Sequence, residues 1–261
     1  MGSHWTHKFF IEADELFLRI MNERWTVAET EAEAIAKLLK KQGLEKGKIL
    51  DLMCGNGRIS INLAKFGYKV VGIDISPTYI EDARRKAKEH KVEENVKFLV
   101  GDVRELDKKI KDEGNFDGVI NNWTSIGYYD ESTDQLIFSK ARKLTKKGGI
   151  LIIANCASRD FQIKIFQPKI WEKFGNLIVL HENEFNYQTS KLKSTWHFFE
   201  QENNDLKFLK KLGLELRLYS IHELIAILRK AGWETIETYK NIITLEPFDP
   251  LGPINIVAKA I

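Results

Sequence analysis

The chain has 261 residues, 43% of them hydrophobic, with a formal net charge of +3 and two cysteines; that is enough for one large α/β core carrying an insertion and short for two independent cores. Charge this balanced and dispersed leaves no broad electrostatic footprint for nucleic acid or a membrane surface, and no apolar run is long enough to span a bilayer. Two cysteines suggest no disulfide framework and point to a reducing cytoplasm, in keeping with an opening stretch, MGSHWTHKFF, that lacks the apolar core of a secretion signal.

Met1 to His4 are compatible with a cloning remnant. From His7 to Lys41 apolar residues recur at helical spacing. Phe9, Phe10, Ala13, Leu16, Phe17 and Ile20 make one face, and Ala32, Ile35, Ala36, Leu38 and Leu39 a second. These residues predict a helical unit over 1–45 that precedes the core. Ile49, Leu50 and Leu52 then form a short buried strand running into Cys54, Gly55 and Gly57, followed by a helix through Ile59, Leu63 and Phe66 that Gly67 closes. Lys69 to Ile73 is a second strand, and it delivers Asp74 to its carboxyl end. In a doubly wound sheet that edge is where glycines admit a ligand and a carboxylate one strand over binds a ribose.

The loop between the two strands narrows the ligand. A dinucleotide fingerprint places a third glycine where this chain has Ser60. Asp51 precedes the glycines instead; it would repel a pyrophosphate and suits an ammonium. Asp51 to Arg58, taken with Asp74, resembles motif I and the ribose acid of the class I S-adenosylmethionine-dependent methyltransferases. A dehydrogenase using the same fold is the competing reading. The resemblance implies cofactor contacts at Asp51, Met53, Cys54, Gly55, Gly57 and Arg58, at Asp74 and Ile75, and at Asp102 and Val103 after the third strand, Val96 to Val100, where an acid holds the adenine amino group. Capping of the short helix that follows is the alternative role for Asp102. It also implies that the leading helices cover the cofactor, which makes Trp25 and its neighbours lid candidates, with packing as the simpler role.

Ser76-Pro77 starts a helix running to about His90. Phe116 to Ile120 is the fourth strand, and Asn121 to Ser125 after it should floor the site of methyl transfer, with cofactor contacts at Asn122, Trp123 and Thr124. This loop has no proline, so it lacks the Asn/Asp-Pro-Pro-aromatic tetrad of enzymes that methylate base exocyclic amines or glutamine side chains. Cys156, after the fifth strand (Ile150 to Ala154), stands where one branch of cytosine C5 enzymes keeps a nucleophile. Without the accompanying Pro-Cys it reads as packing. The helix Asp134 to Leu144 and the turn Lys146 to Gly149 continue the resemblance, which runs from Ile49 to Asn155.

Between Asn176 and Tyr219 the pattern becomes β-rich, with turns at Gln188-Thr189-Ser190 and Asn203-Asn204-Asp205. An antiparallel cap inserted after the fifth strand follows, resembling in layout the small-molecule, glycine N-methyltransferase-like branch. Ile221 to Ala231 is helical, and Trp233 to Tyr239 and Ile254 to Ala260 are the last strands. The expected fold is α/β, a doubly wound, seven-stranded, mostly parallel sheet. Its units are a helical lid at 1–45, a cofactor-binding core at 46–158, the cap at 159–219 and a completion of the sheet at 220–261. The expected reaction is in-line methyl transfer to nitrogen or oxygen of a small molecule. An RNA or protein methyltransferase, or a non-catalytic S-adenosylmethionine-binding protein, stands as the alternative. Tyr128, Tyr129, His181 and His197 are candidates for taking a proton from the acceptor, and Tyr128, Trp196, Arg159 and Arg217 for contacting it, the two arginines as holders of an acidic group. No metal, membrane or nucleic-acid partner is expected, and the state is a monomer or homodimer.

Overall fold

The structure, a computed structural model, describes residues 4–261; Met1 to Ser3, within the stretch compatible with a cloning remnant, lie outside the described residues. Three helices lead: α1 (Trp5–Phe10), α2 (Asp14–Glu23) and α3 (Trp25–Lys41). The core then alternates β1 (Lys48–Leu52), α4 (Arg58–Lys65), β2 (Lys69–Asp74), α5 (Pro77–Glu89), β3 (Val96–Val100), the short α6 (Leu106–Lys109), β4 (Phe116–Asn122), α7 (Glu131–Lys143) and β5 (Thr145–Cys156). After α8 (Arg159–Ile165) come four cap strands: β6 (Lys169–Phe174), β7 (Leu177–Asn186), β8 (Lys191–Glu202) and β9 (Asp205–Arg217). The chain returns to the core through α9 (Ile221–Lys230), β10 (Trp233–Asn241), β11 (Glu246–Pro247) and β12 (Ile254–Ala260).

Local chemistry explains where these elements begin and end. Ser76 caps α5, its side chain accepting from the Tyr79 amide at 3.3 Å, with Pro77 pre-set for the first helical position. Ser220 and Glu223 form a reciprocal capping box at the start of α9. Gly67 at φ +92° and Gly232 at φ +89° take the left-handed conformation that ends α4 and α9.

The main sheet runs β11-β10-β12-β5-β4-β1-β2-β3. Its first five strands are parallel, and β12 lies antiparallel between β5 and β10. To the expected seven strands the structure adds a two-residue edge, β11, where the proline-rich connection doubles back on β10. Sheet order reverses between β1 and β4, which opens a crevice at their carboxyl ends. One side of the sheet is filled by Leu50, Ile73, Val119, Ile153 and Trp233. The indole N–H of Trp233 donates to the Phe138 carbonyl at 3.0 Å, as a buried tryptophan requires. On the other side the alanine-rich face of α3 packs over Ile49, Val70 and Ile152.

The cap is a separate four-stranded antiparallel sheet, β6-β7-β8-β9. Its inner residues Leu177, Val179, Phe198 and Leu212 share one apolar cluster with Phe9, Phe10, Ile20 and Met21 of the leading helices. Lid and cap therefore form one packed roof. The cap is tied to the core at Gly127, where the Arg217 amide donates to the Gly127 carbonyl at 2.8 Å.

Candidate active site

The crevice is built from strand ends. Asp51, at the end of β1, is buried and accepts from the Ser60 hydroxyl at 2.6 Å. Burial pushes its carboxyl up to about 7, against the lowering by Ser60 and Arg58. Asp74, at the end of β2, is also buried; it accepts from the Gly55 amide at 2.9 Å and the Ser76 amide at 3.0 Å and is pushed up to about 6 by desolvation. The loop between them turns on Gly55 at φ +54° and Gly57 at φ +75°. A methyl group on Gly55 would lie 2.8 Å from the Met21 sulfur, and one on Gly57 would lie 2.7 Å from the Phe98 ring. Gly57 thus serves packing of the turn and stands outside the cavity lining, whereas Gly55 faces the cavity.

That cavity encloses about 830 Å³ of atom-free space, part of it open to solvent, and its wall contains Asp51, Met53, Cys54, Gly55, Arg58, Asp74, Ile75, Asp102, Val103, Asn122 and Trp123. The structure thus brings together most of the residues expected from the sequence. Asp102 caps the turn after β3, accepting from the Arg104 amide at 2.8 Å and pairing with its guanidinium, and it also lines the cavity. The roof comes from residues that sequence reasoning did not single out for the site, Thr6, Phe10, Phe17 and Met21. Their helical aromatic spacing was visible, but not the face that meets the cofactor loop. Trp25, the named lid candidate, packs instead against His90, with ring centroids 5.6 Å apart. Tyr79, also unanticipated, points a buried hydroxyl without a hydrogen-bond partner and lies in the lining.

A second chamber adjoins the first, sharing Phe10, Phe17, Trp123 and Tyr128 as a common wall. Its remaining surface includes Trp5, Phe9, Thr124 and Trp196, with Arg24 and Glu172 as its charged members. Trp123 and Thr124 both hold left-handed backbone conformations, φ +61° and +54°, a strain of about 1–3 kcal/mol each that surrounding bonds must offset. The Trp123 amide donates to the Ala154 carbonyl at 3.0 Å, and the Thr124 hydroxyl accepts from the Ala157 amide at 3.1 Å. The result is an indole with Arg24 and Arg58 at 5.3 and 5.6 Å from its ring, and stacked on Phe17 at 5.9 Å. Buried Glu31 bridges this pair, bonded to Arg58, to Arg24 at 3.1 Å and to Asn122 at 3.3 Å. Neither Arg24 nor Glu31 was anticipated from the sequence, because a charge on a long amphipathic helix reads as its solvated face.

Other expected residues lie elsewhere. Arg159 and Arg217 converge on Glu223, at 3.8 and 2.7 Å, and belong to neither chamber, so this pair does not face the site. His197 points to the outer face of the cap and pairs with Glu182 at 3.1 Å; strand alternation puts Trp196 inside instead. His181, on the inner face, is buried with its ring edge-on to Trp196 at 4.4 Å. Tyr128 and Tyr129 both line the first cavity, and burial raises both phenols, so they keep their protons at neutral pH. Cys156 is buried outside both linings, its thiol pushed up to about 12 by burial, which fits packing.

An open, mostly parallel α/β sheet with acids at the ends of its first two strands and a glycine turn between them defines the class I, S-adenosylmethionine-dependent methyltransferases. The chain belongs to the methyltransferase domain family, whose model matches residues 44–213. It is 30% identical over 190 residues to YqeM of Bacillus subtilis (strain 168), whose methyltransferase designation is itself provisional; the match covers 66% of this chain and 69% of that protein. In fold it is similar to an S-adenosylmethionine-dependent methyltransferase from Clostridium acetobutylicum ATCC 824, with TM-score 0.75 and 16% identity, covering 88% of this chain and 91% of the other. A second similar structure is S-adenosylmethionine-bound CalS10 of Micromonospora echinaspora, an amino pentose methyltransferase, with TM-score 0.72 and 16% identity, covering 94% and 96%.

Proposed function

We propose that this enzyme transfers a methyl group from S-adenosylmethionine to nitrogen or oxygen of a small molecule held in the second chamber. The observation that carries the reading is the shared wall: a polar crevice with both strand-end acids abuts an aromatic chamber walled by the leading helices and the cap. The crevice fits the cofactor. Asp51 suits an ammonium, Asp74 has lone pairs left for a ribose diol after accepting two amides, Val103 and Ile75 offer apolar contact to a base, and the partnerless Tyr79 hydroxyl offers one more bond. Arg58, facing the cavity beside Glu31, suits a carboxylate.

Bound there, the cofactor supplies an activated methyl group on sulfur. The chain's part is alignment and exclusion of water, and positioning of that kind contributes roughly 7–11 kcal/mol to lowering such barriers. The aromatic chamber under the cap and the CalS10 likeness support a small acceptor over a polymer. Two buried free cysteines, and the lack among the described residues of a helix long and apolar enough to cross a membrane, are compatible with a cytoplasmic site of action as monomer or homodimer. Calorimetry with S-adenosylhomocysteine and with NAD tests the cofactor reading. The expected result is saturable binding of the first alone; binding of NAD alone would return the chain to the dehydrogenase reading. A metabolite screen with labelled S-adenosylmethionine then identifies the acceptor.

A further inference from the structure

The cap sheet's inner face is apolar around Trp196 and Phe198, with Ser194 bonded to Asn183 at 2.6 Å on one side and Glu200 bonded to Arg19 at 2.8 Å on the other; two further positions on it are polar and less well satisfied. Glu172 on β6 and His181 on β7 face inward beside Trp196, and the Glu172 carboxylate is half-exposed at the mouth of the aromatic chamber. His181 Nε2 lies 3.2 Å from that carboxylate, yet this buried nitrogen has no hydrogen bond of good geometry. Among the described residues no lysine or arginine comes within ion-pair distance of Glu172. A polar pair placed beside aromatic rings and left incompletely satisfied is a cost that a ligand offsets.

The chamber's other charge is Arg24, which lies over Trp123 and shares Glu31 with Arg58. Glu172 is the one carboxylate among the described residues that line the chamber, and the surface around it is aromatic. Phe9 meets Trp196 edge-to-face at 5.3 Å and Trp5 at 5.9 Å, and Trp5 meets Tyr128 at 5.0 Å. Ring faces attract a desolvated cation, and a carboxylate beside them fixes its position. Arg159 and Arg217, which would have favoured an acid, are engaged with Glu223 outside the chamber.

Resting on the small-molecule reading above, we propose that the acceptor is a cationic amine on an apolar or planar body, and that Glu172 is its counter-ion, backed by His181. The ammonium seats against the rings with its charge on Glu172. Loss of one proton to water at the chamber mouth then leaves the nitrogen lone pair free, while Glu172, held below the usual carboxylate range chiefly by His181, stays charged.

The probes are 2-phenylethylamine, its isostere 2-phenylethanol and 3-phenylpropionate, each titrated calorimetrically into the full chain saturated with S-adenosylhomocysteine. The amine is expected to bind at least tenfold more tightly than either of the others, and Glu172→Gln to abolish that preference while leaving S-adenosylhomocysteine affinity within twofold. Equal binding or equal failure of amine and alcohol, a preference for the carboxylate, or an amine preference that survives Glu172→Gln would overturn the proposal. Failure of S-adenosylhomocysteine itself to bind would overturn the parent reading instead.

Discussion

Asp51 and Asp74 are held in an unusual state for aspartates. Burial outweighs their hydrogen bonds, so both titrate near neutrality in the unliganded protein, at about 7 and about 6. A ligand bringing an ammonium to Asp51 favours the charged carboxylate and must displace whatever proton it carries. Binding of S-adenosylhomocysteine should therefore release protons below about pH 7, with affinity rising as pH increases through 6 to 7 and levelling above. Titrations in two buffers of different ionisation enthalpy measure this directly; no proton release at pH 6 would mean that Asp51 does not face the ammonium. These two acids were legible in the sequence because strand ends and glycines fix their place. Arg24, Glu31 and Tyr79 were not, since each acquires its role from a contact with a distant element: Arg24 and Glu31 through Trp123 and Arg58, Tyr79 through the fold of the roof.

Elements were legible wherever apolar pattern and punctuation agreed. The third strand and the last strand occupy the residues expected, Val96–Val100 and Ile254–Ala260. The leading helical stretch divides into three because Ile11 and Arg24 interrupt it. In the cap, the strand Lys169–Phe174 was missed: its sequence KIWEKF spans only six positions and mixes charged and apolar residues without alternation. Ile170, Glu172 and Phe174 share one face, and a charge in the middle of that face breaks the binary pattern. The joint between cap and core depends on one residue. Gly127 sits at φ +84°, and a methyl group there would lie 1.9 Å from the Arg217 carbonyl oxygen. Gly127→Ala should therefore force the cap strand away and lower stability by about 2–4 kcal/mol, combining left-handed strain with overpacking. Urea unfolding checks this, and a change under about 0.5 kcal/mol, the range of an ordinary surface substitution, would show that the joint is slack.

At the scale of the molecule, the leading helices, cap and core pack against one another, and the buried carboxyls set the response to pH. Asp134, buried under Tyr219 and the Gly127 amide, joins Asp51 and Asp74 as a raised carboxyl, pushed up to about 7. A carboxyl whose folded value exceeds its unfolded one binds its proton more tightly when folded. Its stabilisation is complete below the unfolded value of 3.8 and is lost as pH rises through the folded value. Glu223 has the opposite sign: its folded value, about 2, lies below the unfolded 4.5, despite opposing burial, because Ser220 and Arg217 hold its charge. Its stabilisation is present above 4.5 and lost as pH falls toward 2. The unliganded protein should thus be most stable near about pH 5 and less so at pH 8, with Asp134→Asn flattening the fall between pH 5 and 8. Thermal midpoints across that range test it, and a midpoint still climbing from pH 5 to 8 would contradict it.

Gripping of one nucleoside amino acid between the ends of β1 and β2 is tested most directly by titrating S-adenosylhomocysteine into Asp74→Ala, first shown by circular dichroism to be folded. Loss of two charge-assisted bonds to a ribose diol predicts a weakening of about 2–4 kcal/mol, roughly 30- to 900-fold. Affinity equal to that of the parent chain, in a variant that remains folded, would contradict the account.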